Sequence, residues 1–324
     1  MRKVIRIAGL AVAAVAVVLA ALAAAVQVRG IPSYAVPAVP PQRIAATPAR
    51  LAQGQKLAVA MCADCHLNKQ TQAFTGAAMD DLPPEFGRLY ATNITQDTTH
   101  GVGRWTDAEL VALLRTGIGR DGRYRLVMPK FPYMSDEDIR SLVVFLRSDN
   151  AWVQPRPVAS PAQEPSFLAK VLTHTVMKPL PLPTRPIAEP PASDPVALGR
   201  YLVVARYHCY ECHSRNFETN DELHPEQSEG FLGGGNDFVS TDGSTIHARN
   251  LTPDPDTGLG DWTEAQFTQA VKFGLAPHGP LRYPMPKYSV LSDAETRAMF
   301  AYLQTVPKIR NAAPPQPLPG REGL

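Results

Sequence analysis

Two short stretches of the chain carry side chains that could do chemistry at a fixed spacing: Cys62-Ala63-Asp64-Cys65-His66 and Cys209-Tyr210-Glu211-Cys212-His213. They use all four cysteines of the sequence. Two thiols three residues apart can reach the two vinyl groups of one haem and form thioethers, while the adjacent histidine meets the iron; C-x-x-C-H is the attachment pattern of c-type haem. Other chemistries fit less well. Zinc asks for four ligands around one ion, whereas each stretch offers two cysteines and one histidine, with its twin far along the chain. A thioredoxin-like redox pair asks for a βαβ context, and strand signals are scarce. A disulfide framework would seldom arrange its cysteines as two such pairs, each followed at once by histidine.

The elements that must position these residues come in two copies. Asn93-Ile94-Thr95-Gln96-Asp97 recurs as Asn250-Leu251-Thr252-Pro253-Asp254, and Gly101-Val102-Gly103-Arg104-Trp105-Thr106 as Gly258-Leu259-Gly260-Asp261-Trp262-Thr263. At the same offset Gly117 meets Gly274, Met128-Pro129-Lys130 meets Met285-Pro286-Lys287, and Ser135-Asp136 meets Ser292-Asp293. The second copy holds ten more residues between its cysteine motif and Asn250, a surplus expected at the glycine-rich stretch Gly230 to Gly235. Each copy reads as three helices. The first covers about 49–61 or 195–207 and leads into the cysteine motif. The second starts after Thr106 or Thr263, and the third after Ser135 or Ser292, where hydroxyl caps precede first-turn carboxylates. The buried face of the third helix is expected to be Ile139, Leu142, Val143 and Leu146 in one copy and Met299, Phe300 and Leu303 in the other.

On these motifs, over roughly 49–150 and 195–308, the sequence resembles a tandem class I cytochrome c, similar to the diheme cytochrome subunits that accompany membrane-bound bacterial dehydrogenases. The resemblance implies an all-α fold with a helical domain around each of two covalently bound haem c groups, His/Met axial ligation and one-electron transfer. Cys62, Cys65, Cys209 and Cys212 would carry the thioethers, with His66 and His213 as proximal ligands. For the second axial ligand the repeat discriminates: Met128 matches Met285, whereas the nearby Met134 matches Leu291, so a role needed twice falls on Met128 and Met285. Met134 and Met299 then read as core. Five histidines, His100, His174, His224, His247 and His278, lack a counterpart and read as loop or surface residues, and His208, directly before Cys209, is badly placed for a distal ligand. Trp105 and Trp262 either cap the haem pocket or start the packing of the second helix; Arg125 and Arg282 either meet a propionate or face solvent.

Outside the copies, Arg2, Lys3 and Arg6 precede an uncharged apolar run from Ile7 to Val28, long enough to span a bilayer. With the basic flank in the cytoplasm, everything after Arg29 lies on the other side. A retained anchor is preferred on run length, giving a single-pass protein of the bacterial inner membrane with its haem domains in the periplasm. The alternative is a signal cleaved at an Ala-x-Ala site, leaving a soluble periplasmic protein. The expected layout is an anchor at 1–29, a proline-rich stalk at 30–48, cytochrome c domain 1 at 49–150, a proline-rich linker at 151–194, domain 2 at 195–310 and a tail at 311–324. The linker reads as a semi-rigid extended strap, with one island, Phe167 to Lys178, able to form a short helix with Phe167, Leu168, Val171 and Leu172 on one side. The 324 residues balance 32 Lys+Arg against 30 Asp+Glu with no long basic run, which excludes a nucleic-acid partner. With both irons six-coordinate, the expected role is electron transfer between a redox protein (a dehydrogenase, an oxidase or another cytochrome) and the respiratory chain, rather than stand-alone catalysis. A catalytic diheme enzyme, peroxidase-like or thiosulfate-oxidising, or a haem-based sensor would need one open iron.

Overall fold

The structure is a computed structural model and describes residues 2–80, 82–240 and 244–312. Twelve of the fourteen residues of the expected tail lie outside the described residues. Helix α1, Arg2–Arg29, contributes no buried residue and is the one described helix long and apolar enough to cross a membrane.

Two helical lobes follow, each with its own core. In the first, α2 (Pro48–Leu57) starts where the Thr47 hydroxyl accepts the Arg50 N–H, with proline at its first position. It runs through a π-helical segment, Ala58–Cys62, into α3, Ala63–His66. The chain then passes β1 (Gly87–Arg88) to α4, Asp107–Thr116, opened by a reciprocal Thr106/Glu109 capping box. Helix α5, Asp136–Leu146, is capped by Ser135. The expected face of α5 is buried, and Met134 is fully enclosed beside it.

Strand β2 (Glu164–Pro165) pairs antiparallel with β1, and α6 (Phe167–Thr175) confirms the helical island of the linker. The second lobe repeats the first: α7 (Pro195–Arg200), a π segment (Tyr201–Arg206), and α8 (Cys209–His213). After the hairpin of β3 (Asp237–Val239) and β4 (Thr245–His247) comes α9 (Glu264–Phe273) with a Thr263/Gln266 capping box. The two-residue pair β5 (Leu275–Ala276) and β6 (Gly279–Pro280) leads to α10, Asp293–Leu303, boxed by Ser292 and Glu295. Met299 and Leu303 are buried as expected, while Phe300 is half-buried at the core's edge.

In both lobes the first helix crosses the last at a glycine. A Cβ on Gly54 would lie 1.9 Å from the Ser141 carbonyl oxygen, and one on Gly199 would lie 1.9 Å from that of Ala298. Phe145 and Tyr302 close the same two crossings. From Gly54 to Cys62 the chain takes eight steps, but from Gly199 to Cys209 ten. The second copy absorbs the difference by breaking its helix at His208, which sits in the left-handed region with φ 50°.

The surplus in the second copy lies mostly ahead of the glycine-rich stretch. The Gly76 N–H donates to the His66 carbonyl, and the Gly234 N–H donates to the His213 carbonyl. Likewise Ile94 donates to Phe74 and Leu251 to Leu232. Leu232 to Gly234 is therefore the counterpart of Phe74 to Gly76, and the extra chain is the excursion between Ser214 and Phe231. Composition misled here because glycine serves a close backbone contact in both lobes rather than a loop in one.

The stalk and linker are fastened to the first lobe along their length. Tyr34 N–H bonds the Gly122 carbonyl, Ile44 N–H bonds Asp107, the buried Asn93 amide donates to the Arg156 and Val158 carbonyls, and Asp136 N–H bonds the Ile187 carbonyl. An extended proline-rich backbone has no internal hydrogen bonds, so its polar groups take partners on the lobe.

Candidate functional site

Each cysteine motif sits at the exit of the first helix of its lobe, and its histidine is held by one backbone carbonyl. His66 Nδ1 lies 2.8 Å from the Thr92 carbonyl oxygen and His213 Nδ1 lies 2.7 Å from that of Arg249. A carbonyl only accepts, so Nδ1 carries the proton and Nε2 keeps its lone pair. Burial lowers both histidine pKa values despite these bonds, which keeps the rings neutral.

The carbonyls are placed by the repeated Asn-x-Thr motif. Asn93 Oδ1 accepts the Thr95 backbone N–H at 2.9 Å and hydroxyl at 2.7 Å, and Asn250 makes the same two bonds with Thr252 at the same distances. All four side chains are buried. The repeat reveals this motif in the sequence, but its role, aiming the preceding carbonyl at the histidine, appears only in three dimensions.

No disulfide closes either cysteine pair. Burial pushes the thiols of Cys62 and Cys209 up to about 12. A thiol-exchange pair needs the opposite shift.

Met128 and Met285 occupy matching turns ahead of the last helix. Met128 N–H donates to the Arg125 carbonyl and Met285 N–H to that of Arg282. Three residues on, Phe131 N–H bonds the Leu114 carbonyl and Tyr288 N–H that of Val271, which ties each turn to α4 or α9. Both methionines are half-buried. In the first lobe Met128, Cys62, Ala63 and Trp105 border the same core; the second core is bordered by Cys209, Trp262 and Tyr288, and Met285 does not join that set. Each lobe thus holds a thiol pair beside a neutral imidazole nitrogen, donors that fit a covalently held haem.

Arg125 pairs with Asp121, while Arg282 donates to the Ser240 and Ser244 hydroxyls. His174 bonds the Gly30 carbonyl; His208, His224 and His247 each face a carboxylate, on Glu211, Asp221 and Asp237.

The approach of the two motifs to each other carries no signal in the sequence. Met61 packs against both cores, and the Phe131 ring of the first lobe lies 5.2 Å from the His208 ring of the second. The Tyr288 hydroxyl is pushed well above its ordinary pKa, first by burial and further by neighbouring ionisable groups that include Asp64 of the first motif.

Residues 49–146 match the family described as cytochrome c oxidase, cbb3-type, subunit III. The chain carries a cytochrome c domain. Such a cytochrome c domain implies covalently bound haem c, and the match spans α2, the Cys62–His66 motif, α4, the Met128 turn and α5. Curated relatives extend further. The fructose dehydrogenase cytochrome subunit of Gluconobacter japonicus is 31% identical over 278 residues, 79% of this chain and 52% of that one. The cytochrome c subunit of a quinone alcohol dehydrogenase of Gluconobacter oxydans is 31% identical over 265 residues, 76% of this chain and 52% of its own length. A diheme cytochrome c of Cereibacter sphaeroides is 27% identical over 265 residues, covering 76% and 82%. The chain thus spans about half the length of the two dehydrogenase subunits.

Proposed function

We propose that the protein is a membrane-anchored diheme cytochrome c that passes single electrons between a dehydrogenase and the respiratory chain. The observation that carries this reading is the repeated cradle: a histidine after C-x-x-C, its Nδ1 bound to a buried carbonyl, in each lobe. In this reading residues 49–150 and 195–310 are tandem cytochrome c domains. Cys62 and Cys65 hold one haem c with His66 and Met128 as axial ligands; Cys209 and Cys212 hold the other with His213 and Met285. Bound in this way, haem supplies reversible one-electron redox chemistry at iron, and methionine ligation raises its potential relative to two histidines. The chain's own groups fix each imidazole by one nitrogen and bring the lobes toward each other at Met61, Phe131, His208 and Tyr288. The dehydrogenase as partner is supported by the names of the relatives, and α1 as anchor by its length and apolar surface.

The test is haem stoichiometry and ligation in the purified full chain. Two haems per polypeptide by pyridine haemochrome, falling to one in Cys209→Ala/Cys212→Ala, with no rapid carbon monoxide binding to the reduced protein, is the expected result. One haem in the unaltered chain, or stoichiometric carbon monoxide binding at one iron, overturns it and favours a catalytic or sensing site.

A further inference from the structure

Helix α6 faces the wrong way for a core helix. Its small residues, Ala169 and Thr173, are fully buried against the body of the first lobe, where the local core is Leu89, Tyr124 and Leu126. The large apolar residues point outward. Phe167 is 48% exposed, Leu168 46% and Val176, just past the helix, 72%, while Val171 and Leu172 are half-covered. A contiguous apolar face of this kind on a folded surface marks a contact with something apolar.

The position of α6 says what that is. Lys170 Nζ donates to Gln27 Oε1 at 3.0 Å, and His174 Nε2 lies 2.9 Å from the Gly30 carbonyl oxygen. Both partners stand where α1 ends its apolar run. Helix α6 is therefore fixed beside the end of the apolar run of α1.

We propose that α6 is a second membrane contact, lying in the headgroup and acyl boundary of the bilayer with Phe167 and Leu168 inserted. The proposal rests on reading α1 as a retained anchor. It also orients the protein: α6 packs on the segment Tyr124 to Leu126, a few residues before Met128, so this edge of the first lobe faces the membrane.

The experiment uses the full haem-loaded chain in phosphatidylethanolamine and phosphatidylglycerol nanodiscs containing a phosphatidylcholine with a diazirine in its acyl chain. Adducts are mapped by mass spectrometry after illumination. Adducts are expected on α1 and on the peptide holding Phe167 and Leu168, and Phe167→Glu/Leu168→Glu should lose the second set while keeping the first and an unchanged haem spectrum. Labelling of α1 alone overturns the proposal and leaves the anchor standing; absence of label on α1 overturns both. Labelling of the α6 peptide that persists in the double variant also overturns it. So does a photo-cross-linker at position 167 that captures a co-purifying dehydrogenase subunit while lipid adducts are absent, because the face then belongs to a protein.

Discussion

The bond from each histidine Nδ1 to a backbone carbonyl decides which ring nitrogen is left for iron, so the supports of that carbonyl matter as much as the histidine. Asn93 is buried and spends both ends of its amide, one on Thr95 and the other on the Arg156 and Val158 carbonyls. Asn93→Ala strands those buried partners, and a loss of about 2–3 kcal/mol in thermal or denaturant unfolding is expected. The sulfur ligands are tested separately: Met128→Leu and Met285→Leu should each abolish one sulfur-to-iron charge-transfer band and lower the potential of one haem only. An unchanged band and unchanged potentials in either variant would remove that methionine from the site. The cysteine motifs, and the methionine position that both copies share, were visible in the sequence because the repeat isolates them. The Thr92 and Arg249 carbonyls were not, because a backbone oxygen has no residue type to betray its use.

The three longer helices of each lobe are announced by their caps. Thr47, Thr106, Ser135, Asp194, Thr263 and Ser292 all accept a backbone N–H in the first turn, and those that the sequence singled out start their helices where expected. The ends of α2 and α7 were less legible, since periodicity continues smoothly into the π segments Ala58–Cys62 and Tyr201–Arg206. The glycine crossings set the spacing between first and last helices, and there a methyl group has nowhere to go. Gly54→Ala and Gly199→Ala should each destabilise the chain by about 1–3 kcal/mol, as overpacking of a tight contact does. Gly9, with open space around the Cβ position, provides the control: Gly9→Ala should leave soluble-lobe unfolding unchanged.

Across the whole molecule, one buried guanidinium joins the lobes. Arg206 contacts Asp138 of the first lobe at 2.6 Å, Glu189 of the linker at 2.7 Å and Glu295 of the second lobe at 3.3 Å. Tyr201 OH donates to Asp138 at 2.5 Å and accepts the Ser135 N–H, Gln53 donates to the other Asp138 oxygen, and Lys56 pairs with Glu295. Burial, the largest single influence, opposes the charge on Arg206, but Asp138, Tyr201, Tyr207 and Glu189 together outweigh it and the pKa is raised. Arg206→Met leaves Asp138 buried without its cation, at a cost of about 3–5 kcal/mol. Small-angle scattering of this variant should show the lobes parting. Burial also works to raise the pKa of Glu295, yet its bonds to Lys56 and the Ser292 N–H hold it below the ordinary 4.5. A lowered acid stabilises when ionised, so this contribution is complete above pH 4.5 and fades as pH falls through the lower folded value. Glu295→Gln should flatten that acid limb in pH-dependent unfolding.

By itself the sequence determined the chemistry and the local architecture: two cysteine motifs with their histidines, a doubled order of capped helices, the shared methionine and an apolar N-terminal helix. These are written in residue types within a few positions of one another, where spacing and capping act. Only the tertiary structure decided where the extra residues of the second copy lie, that the proline-rich linker is pinned to the first lobe, that α6 turns its large apolar residues outward, and that the two lobes meet across an interface closed by Arg206. Those outcomes depend on pairs such as Asp138 with Arg206 and Asn93 with Val158, far apart in the chain, whose union satisfies buried charge and backbone that no local pattern reveals.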